Sequence, residues 1–213
     1  MILVAYTKVE RELPEEKYFQ LIAQLPPTLA KKNFSYKRWE DRHLNLFGKM
    51  LLMDTLEMFG FGADSIHHLS YNQYGKPCFP DKHFDFNISH SGHYVVCAAS
   101  SSVRIGIDIE GIRKIDFDDF RSVMSCSQWQ IIENSENPVR TFYRFWTIKE
   151  SVLKADSRGL SIPLNDIQIN NGVASCQGSC WHVYDLFLDE GYMACVASAS
   201  PVDTIRMSFL SYY

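Results

Sequence analysis

Long apolar runs, paired cysteines and an excess of basic charge are all missing from this 213-residue sequence. The apolar stretches Tyr94–Val103 and Tyr192–Val202 fall short of the roughly 20 residues that a transmembrane helix needs. The apolar segment Met1–Tyr6 is too short for the core of a signal peptide. A net charge of −4 provides no basic footprint for nucleic acid. We therefore expect a cytoplasmic protein that binds neither membranes nor nucleic acid.

The six cysteines include no C-x-x-C pair. Cys97 and Cys195 lie in apolar, strand-like runs, where free cysteine packs as a small hydrophobic residue. Cys176, Cys180 and His182 carry zinc-binding side chains, but a fourth ligand at a sensible spacing is missing. We expect six reduced thiols in a reducing compartment.

The composition is that of a folded protein, because 46% of the residues are apolar and 14% are aromatic. The length suits one sizeable core or two small, fused ones. Local patterns predict alternating helices and strands. The predicted strands are 2–6, 84–89, 94–100 and 104–110, with several more from 162 to 213, and the predicted helices are 14–25, 36–59, 117–134 and 139–156.

A sequence pattern that occurs twice indicates the architecture. Tyr94–Ser100 and Tyr192–Ser198 share the pattern Y-x-x-C-x-A-S, and a long predicted helix precedes each of them. Chance similarity of two strands is the alternative explanation. We favour an α+β fold of two similar halves, 1–103 and 104–213, each a small, mainly antiparallel sheet packed on a long helix.

The run Ile105-Gly-Ile-Asp-Ile-Glu110 is the most informative stretch. Side chains of a strand alternate between its faces, so the isoleucines share one face and Gly106, Asp108 and Glu110 share the other. Two carboxylates about 7 Å apart along a strand repel each other unless a cation or solvent separates them. Paired oxygen ligands suit Mg²⁺, and Gly106 is expected to leave room on that face. A solvated acidic edge strand is the alternative.

A second acidic element lies on the helix predicted for 139–156. Steps of three and four residues place five side chains on one side, namely Trp146, Lys149, Glu150, Leu153 and Lys154. Carboxylate, ammonium and aromatic groups together suit a polyanion site, in which lysines contact phosphate oxygens and Glu150 binds a metal ion or accepts a proton. The alternative is a surface ion pair between Glu150 and Lys154.

These elements together resemble the 4′-phosphopantetheinyl transferases of the surfactin-synthetase-activating (Sfp-like) type. The matching motifs occur in the family order over most of the chain. They are Gly75-Lys76-Pro77, Asn87-Ile88-Ser89-His90-Ser91, Gly106-Ile107-Asp108-Ile109-Glu110, Trp146 with Lys149-Glu150-Ser151 and Lys154, and Gly159-Leu160-Ser161 with Pro163. The resemblance implies two halves related by pseudo-twofold symmetry, the first contacting the adenine and phosphates of coenzyme A and the second carrying the magnesium site and catalytic helix.

The resemblance also implies the reaction. A monomeric enzyme would transfer the phosphopantetheine arm of coenzyme A to a serine of an acyl or peptidyl carrier protein in fatty acid, polyketide or nonribosomal peptide synthesis. The other product would be adenosine 3′,5′-bisphosphate. Mg²⁺, with Mn²⁺ as a substitute, would be the metal cofactor.

Residue roles follow by position in the matched motifs. Asp108, Glu110 and Glu150 would hold the metal, and Glu150 would activate the serine directly or through a water. Lys154, a further catalytic residue, and Lys149 would face phosphate oxygens. Coenzyme phosphates would meet Ser89 and His90, and the adenine would meet backbone groups of Tyr74, Gly75, Lys76 and Pro77. Where Leu44 stands, relatives commonly carry an arginine, so phosphate contacts from the first long helix are left unassigned.

A partner surface is implied as well. In relatives, the segment between the two acidic elements contacts the carrier helix, and the basic residues Arg113, Lys114 and Arg121 would suit an acidic partner. Two other functions stay open. A magnesium-dependent hydrolase or nucleotidyl transferase could use the same acidic elements but would not explain the Asn87–Ser91 and Gly75–Pro77 motifs. A non-catalytic coenzyme-binding protein would not need Asp108 and Glu150.

Overall fold

The computed structural model describes residues 1–80, 83–158 and 162–213. The strands are β1 Ile2–Lys8, β2 Ser70–Tyr71, β3 Pro77–Cys78, β4 Asp85–Ser91, β5 Tyr94–Ser100, β6 Ile105–Gly111, β7 Gln168–Asn170, β8 Val173–Cys176, β9 Ser179–Leu186, β10 Tyr192–Ser198 and β11 Ile205–Phe209. The α-helices are α1 Glu15–Ile22, α2 Pro27–Phe34, α3 Trp39–Met58, α4 Cys126–Glu133 and α5 Pro138–Asp156, and short 3₁₀ helices cover Ala63–His68, Phe117–Val123 and Leu164–Asp166.

Two sheets form the frame of the molecule. The first has the strand order β11-β1-β5-β4, and the second has the order β6-β10-β9-β8-β7. The helix α3 packs on β5, and α5 packs on β6 and β10. The order strand, long helix, strand pair occurs twice along the chain, as β1-α3-β4-β5 and β6-α5-β9-β10. The last strand of each set is an inner strand, because β5 lies between β1 and β4 and β10 lies between β6 and β9. The predicted α+β fold of two similar halves is confirmed.

The two repeated Y-x-x-C-x-A-S segments are the central strands β5 and β10. Cys97 and Cys195 are fully buried, each beside the long helix of its own half. The rings of Tyr94 and Tyr192 meet edge to face with centroids 4.7 Å apart. Between the sheets lies an apolar cluster that includes alternate residues of β1, β5, β6 and β10. The repeat in the sequence therefore marks one inner strand of each sheet.

Three local predictions needed correction. A helix was not predicted after Pro26-Pro27, yet Pro27 begins α2, because proline is well suited to the first helical turn. The continuous helix predicted for 117–134 is a 3₁₀ helix followed by α4, which starts at a capping box of Ser125 and Gln128. The strand predicted to end at Ser89 continues through Ser91, and the turn lies at Gly92.

The last strand, β11, pairs in parallel with β1 and so joins the sheet of the first half. After β11, the C-terminal residues Tyr212 and Tyr213 pack against Phe47 of α3. The Tyr213 hydroxyl accepts hydrogen bonds from the backbone N–H groups of Glu10 and Arg11. The strand patterns in the sequence did not predict this return to the first half.

Candidate active site

Strand β6 presents its isoleucines to the core and its carboxylates to a cavity. Ile105, Ile107 and Ile109 are fully buried in the cluster between the sheets. Asp108 and Glu110 line a cavity of about 370 Å³ on the opposite face. The two-residue alternation of a strand is the reason that both acids face the same space.

Gly106 allows the close approach of β6 to α5. A Cβ atom at this position would lie 2.1 Å from the Ser151 carbonyl oxygen and 2.4 Å from the Ala155 amide nitrogen. The expectation that Gly106 leaves open room on that face of the strand is therefore wrong, because the backbone of α5 fills the space. Its missing side chain instead brings the α5 residues Glu150 and Lys154 beside the acids of β6.

Helix α5 supplies the other wall of the cavity. Trp146, Glu150 and Lys154 line it at four-residue steps, together with Asp108 and Glu110. The structure thus brings the three predicted metal-binding carboxylates into one cavity, from a strand and a helix about 40 residues apart in sequence. Behind them, Trp146 stacks on Phe142 with ring centroids 6.1 Å apart.

Lys149 does not reach this cavity. Its side chain is fully buried, and its Nζ donates hydrogen bonds to the carbonyl oxygens of Val123 at 3.0 Å and Leu164 at 2.6 Å. Burial lowers the pKa of the Lys149 ammonium to about 8. The prediction that Lys149 faces phosphate oxygens is wrong, because on a helix Lys149 points about 100° away from Glu150. Lys149 instead anchors α5 to the segments around it.

A lysine, a serine and an aspartate form the polar centre of the cavity. Lys154 Nζ donates to Asp108 Oδ1 at 2.6 Å and to Ser89 Oγ at 2.9 Å. The Ser89 hydroxyl donates to the same Asp108 oxygen at 2.9 Å. Asp108 Oδ2 is buried and has no hydrogen-bond partner among the residues that the structure describes. One carboxylate oxygen is therefore satisfied, and the other has an unused lone-pair site.

The other two carboxylates are held in an environment that disfavours their charge. The pKa of Glu110 is raised, first by removal from water and then by the negative charge of Asp108. The pKa of Glu150 is raised by the same two causes in the same order, and the Lys154 ammonium opposes them. Three acids beside one ammonium leave an excess of negative charge that a bound cation would relieve.

Strand β4 contributes a row of polar side chains that join the two sheets. Asn87 Oδ1 accepts from the backbone N–H of Ile107 at 3.1 Å. Ser91 Oγ donates to Glu110 Oε2 at 2.9 Å and accepts from the N–H of Gly111 at 3.1 Å. Side chains of the motif Asn87–Ser91 therefore accept hydrogen bonds from backbone N–H groups of β6, and its serines orient the carboxylates of Asp108 and Glu110. Sequence reasoning assigned no role to Asn87 or Ser91, although their two-residue spacing with Ser89 was a usable signal.

His90 lines the first-half side of the cavity, and Lys49 of α3 lies near enough to affect the pKa of His90. Although His90 lies at the cavity mouth and is largely exposed, desolvation, followed by the Lys154 ammonium, lowers its pKa. Lys49 of α3 is half-buried, and no hydrogen bond or ion pair to its ammonium is found within the described ranges. Desolvation and then Lys32 lower the Lys49 pKa. Sequence reasoning missed Lys49, although a lysine between Gly48 and Met50 in an apolar helix stripe is unusual.

A second cavity, of about 210 Å³, adjoins the first. The turn residues Tyr74, Gly75, Lys76 and Pro77 line it, and Glu150 and Lys154 belong to both cavities. Gly75 adopts a φ of +85°, which a residue with a side chain rarely adopts. The predicted coenzyme-binding turn and the predicted metal-binding acids therefore border one continuous groove.

Neither a metal-binding cluster nor a membrane span was detected. Within 1–80, 83–158 and 162–213, a search for groups of three or more His, Cys, Asp or Glu with metal-binding geometry found none. In the same ranges, no helix is both long enough and apolar enough to cross a bilayer. All six cysteines are free thiols.

Sequence comparisons identify the family of the chain. Residues 104–197 match the model of the 4′-phosphopantetheinyl transferase superfamily, and residues 13–102 match the model of the 4′-phosphopantetheinyl transferase N-terminal region. A 4′-phosphopantetheinyl transferase of Bacillus subtilis is 31% identical over 208 residues, covering 91% of this chain and 90% of that protein. This chain is a member of the 4′-phosphopantetheinyl transferase superfamily.

Other transferases of the superfamily match over similar lengths. The 4′-phosphopantetheinyl transferase Sfp of Bacillus subtilis (strain 168) is 29% identical, covering 96% of this chain and 95% of that protein. HetI of Nostoc sp. (strain PCC 7120 / SAG 25.82 / UTEX 2576), also a 4′-phosphopantetheinyl transferase, is 30% identical, covering 90% of this chain and 86% of that protein. The resemblance stated from the sequence motifs is confirmed. Its Gly159–Ser161 part lies outside the described residues.

Proposed function

We propose that this phosphopantetheinyl transferase moves the 4′-phosphopantetheine arm of coenzyme A to a serine hydroxyl of an apo acyl or peptidyl carrier protein, with the groove between β6 and α5 as its active site. The observation that carries the proposal is the single cavity lined by Asp108, Glu110, Glu150 and Lys154. A serine oxygen would attack the β-phosphorus of coenzyme A, and adenosine 3′,5′-bisphosphate would leave.

The residues of the cavity fit a divalent cation. Three carboxylates line it, desolvation followed by the charge of Asp108 raises the pKa values of Glu110 and Glu150, and Asp108 Oδ2 has no partner among the described residues. Such oxygen donors suit Mg²⁺, and Mn²⁺ prefers similar ligands. When bound, the ion would stabilise the negative charge that develops on the pyrophosphate.

Glu150 is the proposed proton acceptor. In the absence of the ion, the pKa of Glu150 is raised towards neutral pH. A general base is most effective when its pKa lies near the pH at which the enzyme works. A bound cation would lower that pKa, so transfer through an intervening water is an alternative to direct transfer. Lys154 would direct its ammonium at a phosphate oxygen, which requires exchange of its contacts with Asp108 and Ser89.

The first half is proposed to bind the nucleotide part of coenzyme A. The turn from Tyr74 to Pro77 would contact the adenine through backbone groups in the second cavity. Ser89 and His90 would contact phosphates in the first cavity. The division into a coenzyme-contacting half, 1–103, and a catalytic half, 104–213, is part of this proposal.

An acidic carrier protein would meet the loop after β6. Arg113 and Lys114 are exposed there, beside an aromatic cluster that includes Phe117 and Phe120. Arg121 is less available, because it pairs with Asp118 and Glu133 and lies over the Trp129 ring. Since one chain supplies every residue of the proposed site, we propose an active monomer, located in the cytoplasm.

The test is the mass of purified apo-carrier proteins after incubation with the transferase, coenzyme A and Mg²⁺. The panel should contain carriers from fatty acid, polyketide and peptide synthases. We expect a phosphopantetheine mass gain that is lost with Glu150→Gln and with chelator, and retained with Glu136→Gln, an acid-to-amide change at an exposed site. Unmodified carriers across the panel would count against the proposal, and cleavage of coenzyme A without a carrier would indicate a hydrolase.

A further inference from the structure

Lys76 lies in the turn that lines the second cavity, but its ammonium group is held by Asp85 and by the first residue of β6. The side chain is only 8% exposed. Its Nζ contacts both carboxylate oxygens of Asp85 at 2.9 Å and donates to the Ile105 carbonyl oxygen at 3.0 Å. Of the three N–H donors of the ammonium group, two make hydrogen bonds, to Asp85 Oδ2 and to the Ile105 carbonyl oxygen, while Asp85 Oδ1 lies in ion-pair contact.

Asp85 completes a closed arrangement around Ile105. Its Oδ2 accepts the backbone N–H of Ile105 at 2.7 Å. Both backbone polar groups of Ile105 are thus satisfied by the Lys76–Asp85 pair, the N–H by the acid and the carbonyl by the lysine. Ile105 is the first residue of β6, three residues before Asp108.

Asn72 holds the turn Tyr74–Lys76 together through three hydrogen bonds. Asn72 Oδ1 accepts the backbone N–H groups of Tyr74 and Lys76 at 2.9 and 3.0 Å. The Asn72 carbonyl oxygen accepts the N–H of Gly75 at 2.9 Å. Three hydrogen bonds to Asn72 therefore define the shape of the turn, and Lys76 links the turn to the start of β6.

We propose that Lys76 is a positioning residue, which acts through Asp85 to hold the wall of the coenzyme groove against the strand that carries the metal-binding acids. This inference rests on the proposed function. Direct binding of a phosphate by Lys76 would require its ammonium to leave Asp85 and the Ile105 carbonyl oxygen in a site where the lysine side chain is only 8% exposed. The groove needs the correct separation of its two walls, because the coenzyme must reach both the turn and the acids.

Two variants separate positioning from phosphate contact. Lys76→Met removes the ammonium, and Asp85→Asn keeps it while weakening its anchor. We expect both to weaken coenzyme A binding, measured by titration calorimetry with Mg²⁺, by a similar factor of about 10. The double variant should be no weaker than either single one, because both break the same link. Lys17→Met, a lysine of α1 outside both cavities, is the charge-matched control and should bind as the wild type does.

Dephospho-coenzyme A, which lacks the 3′-phosphate, provides a second comparison. Positioning predicts the same relative loss for both coenzymes. A loss confined to coenzyme A, or an Asp85→Asn variant that binds as tightly as the wild type, would overturn the inference in favour of direct contact. If thermal melting shows that Lys76→Met is unfolded, Lys76→Gln is tested with the opposite expectation: its amide can donate to both partners, so positioning predicts nearly wild-type affinity for coenzyme A, and a loss with coenzyme A alone would indicate direct contact with the phosphate. Wild-type protein that binds no coenzyme would refute the proposed function instead.

Discussion

The ammonium of Lys154 contacts the carboxylate of Asp108 at 2.6 Å, across the narrow gap between α5 and β6. Among the described residues, Lys154 is the one lysine that lines this cavity, and the contact places it on the most buried of the three acids. The negative charges of Glu110 and Glu150 are therefore less well balanced by the Lys154 ammonium. Both carboxyl groups have raised pKa values, caused first by desolvation and then by the charge of Asp108. Several properties of the protein should follow from this imbalance.

Glu150→Gln should stabilise the metal-free protein while abolishing transfer. A carboxyl group with a raised pKa contributes stability below its unfolded-state pKa and loses it as the pH rises through the folded-state value. At neutral pH the Glu150 charge therefore opposes folding. We expect a melting temperature higher by about 2–4 °C, as for a gain of 1 kcal/mol in a protein of this size.

The same variant should also lose the stabilisation that Mg²⁺ gives. Melting curves with and without the ion measure both effects, and Glu136→Gln controls for the change of charge on the surface. A Glu150→Gln variant that melts below the wild type at neutral pH without metal would contradict the electrostatic account.

Gly106→Ala should be strongly destabilising. Its new Cβ would overlap backbone atoms of Ser151 and Ala155, which cannot move without shifting α5. The expected loss is about 1–3 kcal/mol or more in chemical denaturation, with a matching loss of transfer as Glu150 moves from Asp108. Gly48→Ala is the matched control, because its Cβ would meet a side-chain atom of Ile88 at 3.1 Å and that side chain can adjust. Equal effects of both changes would refute this reasoning.

Lys149 and Lys154 should separate into structural and functional lysines. Lys149→Met leaves the carbonyl groups of Val123 and Leu164 without their donor, at a cost of about 1–3 kcal/mol in unfolding free energy. The affinity of the Lys149→Met variant for coenzyme A should equal that of the wild type. Lys154→Met should weaken coenzyme A binding by about 10-fold or more, the value of a charge-assisted contact. Calorimetry and thermal melting on both variants test this, and the reverse pattern would disprove it.

The affinity for coenzyme A should fall as the pH rises through the pKa of His90. That pKa lies below its usual value because of desolvation and the nearby Lys154. Since a phosphate binds the protonated imidazole better, the decline should begin below pH 6.5, the ordinary histidine value. Binding measured from pH 5 to 8 with wild type and His90→Gln would show it. The variant should give a flatter profile, and dephospho-coenzyme A controls for the phosphate's own titration.

The sequence predicted the parts of the site that depend on local periodicity. Alternation along a strand was sufficient to place Asp108 and Glu110 together, and the helix repeat placed Glu150 and Lys154 on one face. The same repeat could not decide the direction of Lys149, because a residue beside a helix face can point to either of two neighbours. Packing decided it, through carbonyl groups that precede or follow α5 in the chain.

Contacts between residues far apart in the sequence could not be predicted from local sequence patterns. The partner of Lys76 lies nine residues away, and the strand that both support begins another 20 residues later. Gly106 was recognised as important for the wrong reason, since only the position of α5 shows what occupies the space beside it. Tertiary packing, not propensity, fixed each of these features.

The pairing of β11 with β1 has a consequence for how the polypeptide can be divided. A fragment cut after residue 103 would lose β11, and the outer edge of β1 would present unpaired N–H and C=O groups. Such an edge is a template for intermolecular strand pairing. The remaining fragment would carry an orphan C-terminal strand with no sheet to join. Expression as separate pieces should therefore yield aggregates, although the same strand pattern occurs once in each half of the sequence.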